Sequence, residues 1–179
     1  MKKKRLLLLI LIMSFLAACK GNENEVKNSP LYEGIELTIA VVGEEPKIRE
    51  KQIIFETINL EDLKQDNLFE TYDAVFIMKE HLSATAKASF AKIYTSATLP
   101  FIFIETEKSY IPFVEEKTNY EAFPDVKSGD YAYGYYQVNK EEGRYWGYGL
   151  YNDTVNEVNV MDVYTRIFET IEDVERGEY

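Results

Sequence analysis

The 179-residue chain has one cysteine, one histidine and few basic residues, 20 against 31 acidic ones for a net charge of −11. A lone cysteine rules out an intrachain disulfide, so stability rests on an apolar core. A lone histidine leaves a Ser-His-acid group with only His81 as its base. No HExxH run, Asp-rich calcium loop or GxSxG elbow is present. The deficit of Lys and Arg argues against nucleic acid and against electrostatic docking on anionic lipid. No glycine-rich turn opens a helix, which leaves phosphate and dinucleotide cofactors without a cradle. The longest apolar run, Leu6 to Met13, falls short of the about 20 residues that a membrane span needs.

That apolar run follows Lys2, Lys3, Lys4 and Arg5, the basic head of a secretory signal peptide. After Ser14 and Phe15 comes Leu16-Ala17-Ala18-Cys19, which resembles the lipobox of bacterial lipoproteins. The resemblance implies removal of residues 1–18 by cleavage after Ala18. It also implies a diacylglyceryl group on Cys19, acylation of the new amino terminus and a place on the outer face of the cell membrane. Two or more acyl chains anchor a protein stably, whereas one does not. The leader holds four of the 20 basic residues and no acidic one, so the remainder stands at 16 against 31, a net of −15.

Residues 19–30 (CKGNENEVKNSP) are polar and without apolar periodicity, which predicts a lipidated Cys19 on a flexible tether. Residues 31–179 then form one globular domain, of a size that buries roughly two-thirds of its surface. Apolar β-branched runs predict strands at Glu36–Gly43, Gln52–Ile58, Asp73–Lys79 and Phe101–Glu105. The short Glu44–Lys51 link leaves the second strand either parallel or antiparallel to the first. Helical spacing predicts a modest segment at Leu60–Tyr72 and a better one at Ser83–Ala97 with Ser83 as its N-cap. Asp130–Val138 and Arg144–Tyr151 flank a hairpin turn. A helix from Thr154 to about Glu175 opens on the capping box Thr154-Val-Asn-Glu157. The fold class is α/β: a three-layer domain with a small, mostly parallel sheet, a C-terminal Tyr-rich hairpin and a long closing helix. The stretches IAVVGEEP (Ile39–Pro46), YDAVFIMKE (Tyr72–Glu80) and GLYND (Gly149–Asp153) are similar to a set of uncharacterised lipoproteins of Bacillus-type bacteria. That similarity implies a location and no chemistry.

Ligands of open parallel sheets bind beyond the carboxyl ends of the strands. Glu44, Glu45, Glu80, His81 and Glu105 converge there, a candidate ligand or metal cluster of oxygen and imidazole donors. Acids at strand ends are also ordinary loop residues, and no metal or other cofactor is called for. The hairpin offers a second surface: Tyr131, Tyr133 and Tyr135 at i, i+2, i+4 share one face, joined by Tyr145, Trp146 and Tyr148. Such rings stack on a glycan or a peptide, or simply pack on the core. The leading expectation is a lipid-anchored, extracytoplasmic binding or accessory protein without catalysis of its own. The alternatives are a surface hydrolase using the acidic cluster with His81, and an envelope protein that meets a protein partner through the hairpin.

Overall fold

A computed structural model describes residues 24–116 and 120–179, so the expected cleavage site at Ala18 and lipid site at Cys19 lie outside the described residues. Six strands form one mixed sheet in the order β2-β1-β3-β4-β5-β6. They are β1 (Leu37–Val42), β2 (Ile53–Thr57), β3 (Ala74–Ile77), β4 (Phe101–Ile104), β5 (Asp130–Asn139) and β6 (Glu142–Gly149). The first four run parallel, while β5 returns antiparallel beside β4 and pairs with β6 as a hairpin. The period-2 alternation of the strands divides the core into two layers. Leu37, Ile39, Val41, Phe76, Ile102 and Ile104 face one side, and Ala40, Val42, Val75, Ile77, Phe101 and Phe103 the other.

The first side is covered by the long closing helix through Val163, Tyr164, Ile167, Phe168 and Ile171. The second is covered by two 3-10 turns (Leu60–Lys64 and Asp66–Glu70), helix α1 (Leu82–Thr85), helix α2 (Ala88–Tyr94) and helix α3 (Ile111–Val114). The closing helix, α4, spans Glu157–Arg176. Among the described residues, no helix is long and apolar enough to cross a membrane.

The strand left undecided by sequence is parallel: β2 pairs Ile53 with Leu37. A parallel crossover usually carries a helix. Here an extended link suffices, because α4 already occupies that face and the link packs on it. Arg49 donates to the Thr165 hydroxyl at 2.7 Å, and that hydroxyl donates to the buried Glu50 at 2.6 Å.

Four details depart from expectation. The segment Leu60–Tyr72 forms 3-10 turns rather than an α-helix. The helix expected over Ser83–Ala97 is broken by Ala86 (ψ 63) and the extended Lys87, leaving two short helices. Ser83 therefore lies inside α1 and caps nothing, the N-cap position being His81. Inside α1 the Thr85 hydroxyl bonds back to the Leu82 carbonyl at 3.0 Å. At α4, the cap is Asn156 instead of Thr154, its side chain accepting from the Asn159 N–H at 2.9 Å. The expected flexible tether is docked from Asn24 onward: Val26 N–H donates to Asn159, and Arg49 donates to Ser29 and to the Pro30 carbonyl.

Candidate functional site

Strand β2 lies outward of β1 and strand β4 outward of β3, so the order of the parallel strands reverses between β1 and β3. The loops leaving that point diverge to opposite faces and leave a crevice. Gly43 permits the tight approach, with φ 124; a Cβ there would lie 2.7 Å from that of Met78. A cleft of about 560 Å³ opens beyond these strand ends, within the size range of small-ligand sites. Its floor is apolar: Met78, Tyr131, Val160, Met161 and Tyr164. Its rim carries Glu44, Glu45, Glu80, Glu105 and Glu157 against a single Lys47. The first turn of α4 also forms part of the wall. The positive end of a helix is worth only about half a unit charge, too little to outweigh five carboxylates.

Four of the five expected cluster residues thus meet at one rim, each tied to a neighbour. Glu80 accepts from the Glu44 N–H at 3.1 Å, and Glu45 accepts from the Thr57 hydroxyl at 3.0 Å. Glu105 is 3.6 Å from the Lys79 ammonium and accepts from the Tyr131 hydroxyl at 3.3 Å. They do not close on a common point, and among the described residues no three Asp, Glu, His or Cys side chains are grouped to hold a metal. His81 is not brought to the cleft: it ends the 3-10 turn Lys79–His81 on the side of α1.

Glu105 is the most constrained of these acids. Its backbone sits at φ 54, a left-handed conformation that is uncommon for a glutamate and tends to be retained where function requires it. Beside it, burial pushes the Tyr131 hydroxyl up to about 12, with the Glu105 charge adding to the effect. Burial raises Tyr164 further still, helped by Tyr131. Both phenols therefore stay neutral at physiological pH and serve as donors. Glu105 and Tyr131 also border a second hollow of about 350 Å³, lined by Glu107, Asp125, Asp130 and Asp153 with Lys79. The two hollows make an acidic trough, with Glu105, Tyr131 and Val155 shared between them.

The aromatic hairpin does not present one face. A register irregularity between Asp130 and Ala132 turns Tyr131 toward α4, where its ring meets Tyr164 edge-on at 6.4 Å. Trp146 and Tyr148 pack on that same side. Tyr133 and Tyr135 are 9% and 7% exposed, and Tyr135 packs in the opposite layer. Tyr145, 59% exposed, stacks at 4.4 Å on Tyr110, which stacks on Tyr135 at 5.7 Å.

The residues missed by sequence reading are the α4 contributors: Glu157, Val160, Met161 and Tyr164. Their signal was the apolar stripe of the last helix, which begins one turn before the residues that face the sheet. Compared with protein-family models, with curated proteins and with solved structures, the chain has no match in any of the three.

Proposed function

We propose that this chain is a lipid-anchored, extracytoplasmic binding protein of the cell membrane, held by acyl groups on Cys19, and without catalysis of its own. Its ligand occupies the cleft beyond β1 and β3 and carries a cationic group on a partly apolar body, as a basic peptide segment or an amine does. The observation that carries this reading is the pairing of an apolar, tyrosine-lined floor with a rim of five carboxylates and one lysine. An ammonium or guanidinium reaching the rim gains from the carboxylates and from the Tyr131 ring, while its apolar stem covers Val160 and Met161.

The test is a thermal-shift screen of the unlipidated chain beginning at Lys20, with amines, Lys- and Arg-containing peptides, divalent cations and wall-glycan fragments. A ligand at 100 times its Kd adds about 2.7 kcal/mol, several degrees at this size. Amines or basic peptides are expected to raise the midpoint. The double substitution Glu80→Gln, Glu105→Gln is expected to weaken their binding roughly tenfold, about 0.5–1 kcal/mol for each exposed contact. A response to glycan alone moves the site to the exposed Tyr145–Tyr110 stack. A response to nothing in the panel overturns the small-ligand reading and favours a protein partner on that stack.

A further inference from the structure

The described chain begins at the same end of the molecule as the cleft. Residues 24–32 do not leave the domain at random; they run along α4. The Asn24 carbonyl accepts from the side-chain amides of Asn156 at 3.0 Å and Asn159 at 2.8 Å. Eight residues later Tyr32 is buried, its ring 5.9 Å from that of Phe168 in the fourth turn of the helix. The chain therefore enters the described structure at the N-terminal end of α4. Asn156, which holds Asn24, is itself part of the cleft wall.

From this arrangement we infer that the domain sits on the bilayer in a fixed sense, with the N-terminal end of α4 and the cleft beside it facing the lipid surface; this rests on the reading of Cys19 as the lipid site. Only Lys20 to Glu23 separate Cys19 from Asn24. Five Cα–Cα steps reach at most about 18 Å, whereas a domain of about 150 residues is roughly 38 Å across, from a radius of gyration near 15 Å. The tether is too short for the molecule to turn over. The entry point is ringed by exposed apolar side chains, Tyr151 at 42%, Val155 at 73% and Val158 at 37%. Their partner is the interfacial zone of the bilayer, where Tyr and aliphatic groups are at home. The net charge gives no electrostatic pull toward anionic lipid; the covalent anchor supplies the proximity. A ligand in the cleft is then met at the height of the membrane surface, so a molecule projecting from the bilayer reaches it more directly than one in bulk solution.

Because acylation consumes the one cysteine of the chain, a cysteine introduced elsewhere takes a single dye. Two exposed positions report on the two ends: Val158→Cys, in the first turn of α4, and Thr98→Cys, at the opposite ends of the strands just before β4. The full lipidated chain, dye-labelled at one or the other, is placed in phosphatidylcholine vesicles bearing an acceptor-labelled lipid, and energy transfer is measured. Transfer from position 158 is expected to exceed that from position 98 severalfold. Inserting thirty Gly/Ser residues after Glu23, a coil of roughly 30 Å, is expected to lower the first value and shrink the difference. Equal transfer from the two positions at native tether length, in chains that float with the vesicles, overturns the orientation and leaves the anchoring reading intact. Chains that carry no lipid and stay behind when the vesicles float overturn both.

Discussion

Asn159 is fully buried and ties four backbone groups together through one amide. Its oxygen accepts from Val26 N–H at 2.8 Å, and its two N–H groups are shared among the carbonyls of Asn24, Tyr151 and Thr154 at 2.8, 3.2 and 2.8 Å. Substitution by alanine strands polar groups with no solvent to replace the amide. Asn159→Ala is expected to cost about 2–3 kcal/mol, a fall of roughly 5–10 °C in Tm, and to raise protease sensitivity in residues 24–30. A calorimetric scan and limited proteolysis check both. If residues 24–30 stay protected, the amide is not what holds them. This residue also marks where local reading ends. Thr154-x-x-Glu157 fits a capping box as well as Asn156-x-x-Asn159 fits a cap. The choice falls to Asn156 because Asn24, more than a hundred positions away, needs the donors of Asn156 and Asn159. The acids Glu44, Glu80 and Glu105 were legible because strand ends are fixed by apolar runs. His81 was not, because one residue past Glu80 the chain has already turned into α1.

At the scale of elements, the strands were read closely, since runs such as AVFI and FIFI are buried on both faces and need no partner to be recognised. The helices were read less well. The Ser83–Ala97 segment has an amphipathic stripe, but the backbone leaves the helical region at Ala86 and Lys87 and the helix breaks there. The hairpin shows the clearest failure of a simple period: one bulge at Asp130–Ala132 moves Tyr131 to the α4 side, where it becomes part of the cleft. Farther along the same strand, Gly134 makes room for the only tryptophan. A Cβ at Gly134 would lie 3.1 Å from the Trp146 ring and 3.2 Å from the Ile102 methyl. Gly134→Ala is therefore expected to lift Trp146 from the α4 face at a cost of about 1–3 kcal/mol. Intrinsic fluorescence should shift to the red while far-UV dichroism stays unchanged. An unshifted spectrum with a raised Tm would mean that the ring yields freely and that alanine merely stiffens the strand.

The whole molecule carries its charge unevenly, and this sets how it responds to its surroundings. The convergence of the strand ends was legible from the apolar runs, but the switch point needed the strand order, and the wall that closes the cleft comes from α4, joined to the sheet only through tertiary packing. That helix also gathers acids on its outer side. Burial, with Asp173 and Asp162 nearby, raises the Glu169 carboxyl above its usual range; burial, with Asp73 nearby, does the same for Glu175. A carboxyl whose folded pKa lies above its unfolded value binds more protons folded than unfolded between the two. Its charged form opposes folding at neutral pH, and the opposition is relieved as pH falls through the folded value. Both groups are partly solvated, so each effect is small, but they add to the general self-repulsion of a chain whose net charge is −11. Tm is expected to rise by a few degrees between pH 7 and pH 5.5, and to rise at pH 7 as salt increases from about 20 mM to several hundred millimolar, where the Debye length shrinks well below 10 Å. Glu169→Gln should raise Tm at pH 7 and flatten the pH response. Scanning calorimetry over the two series decides it: a Tm that falls on mild acidification, together with indifference to salt, would place the dominant charge term in attractive pairs such as Arg166–Asp162 rather than in the acid surplus.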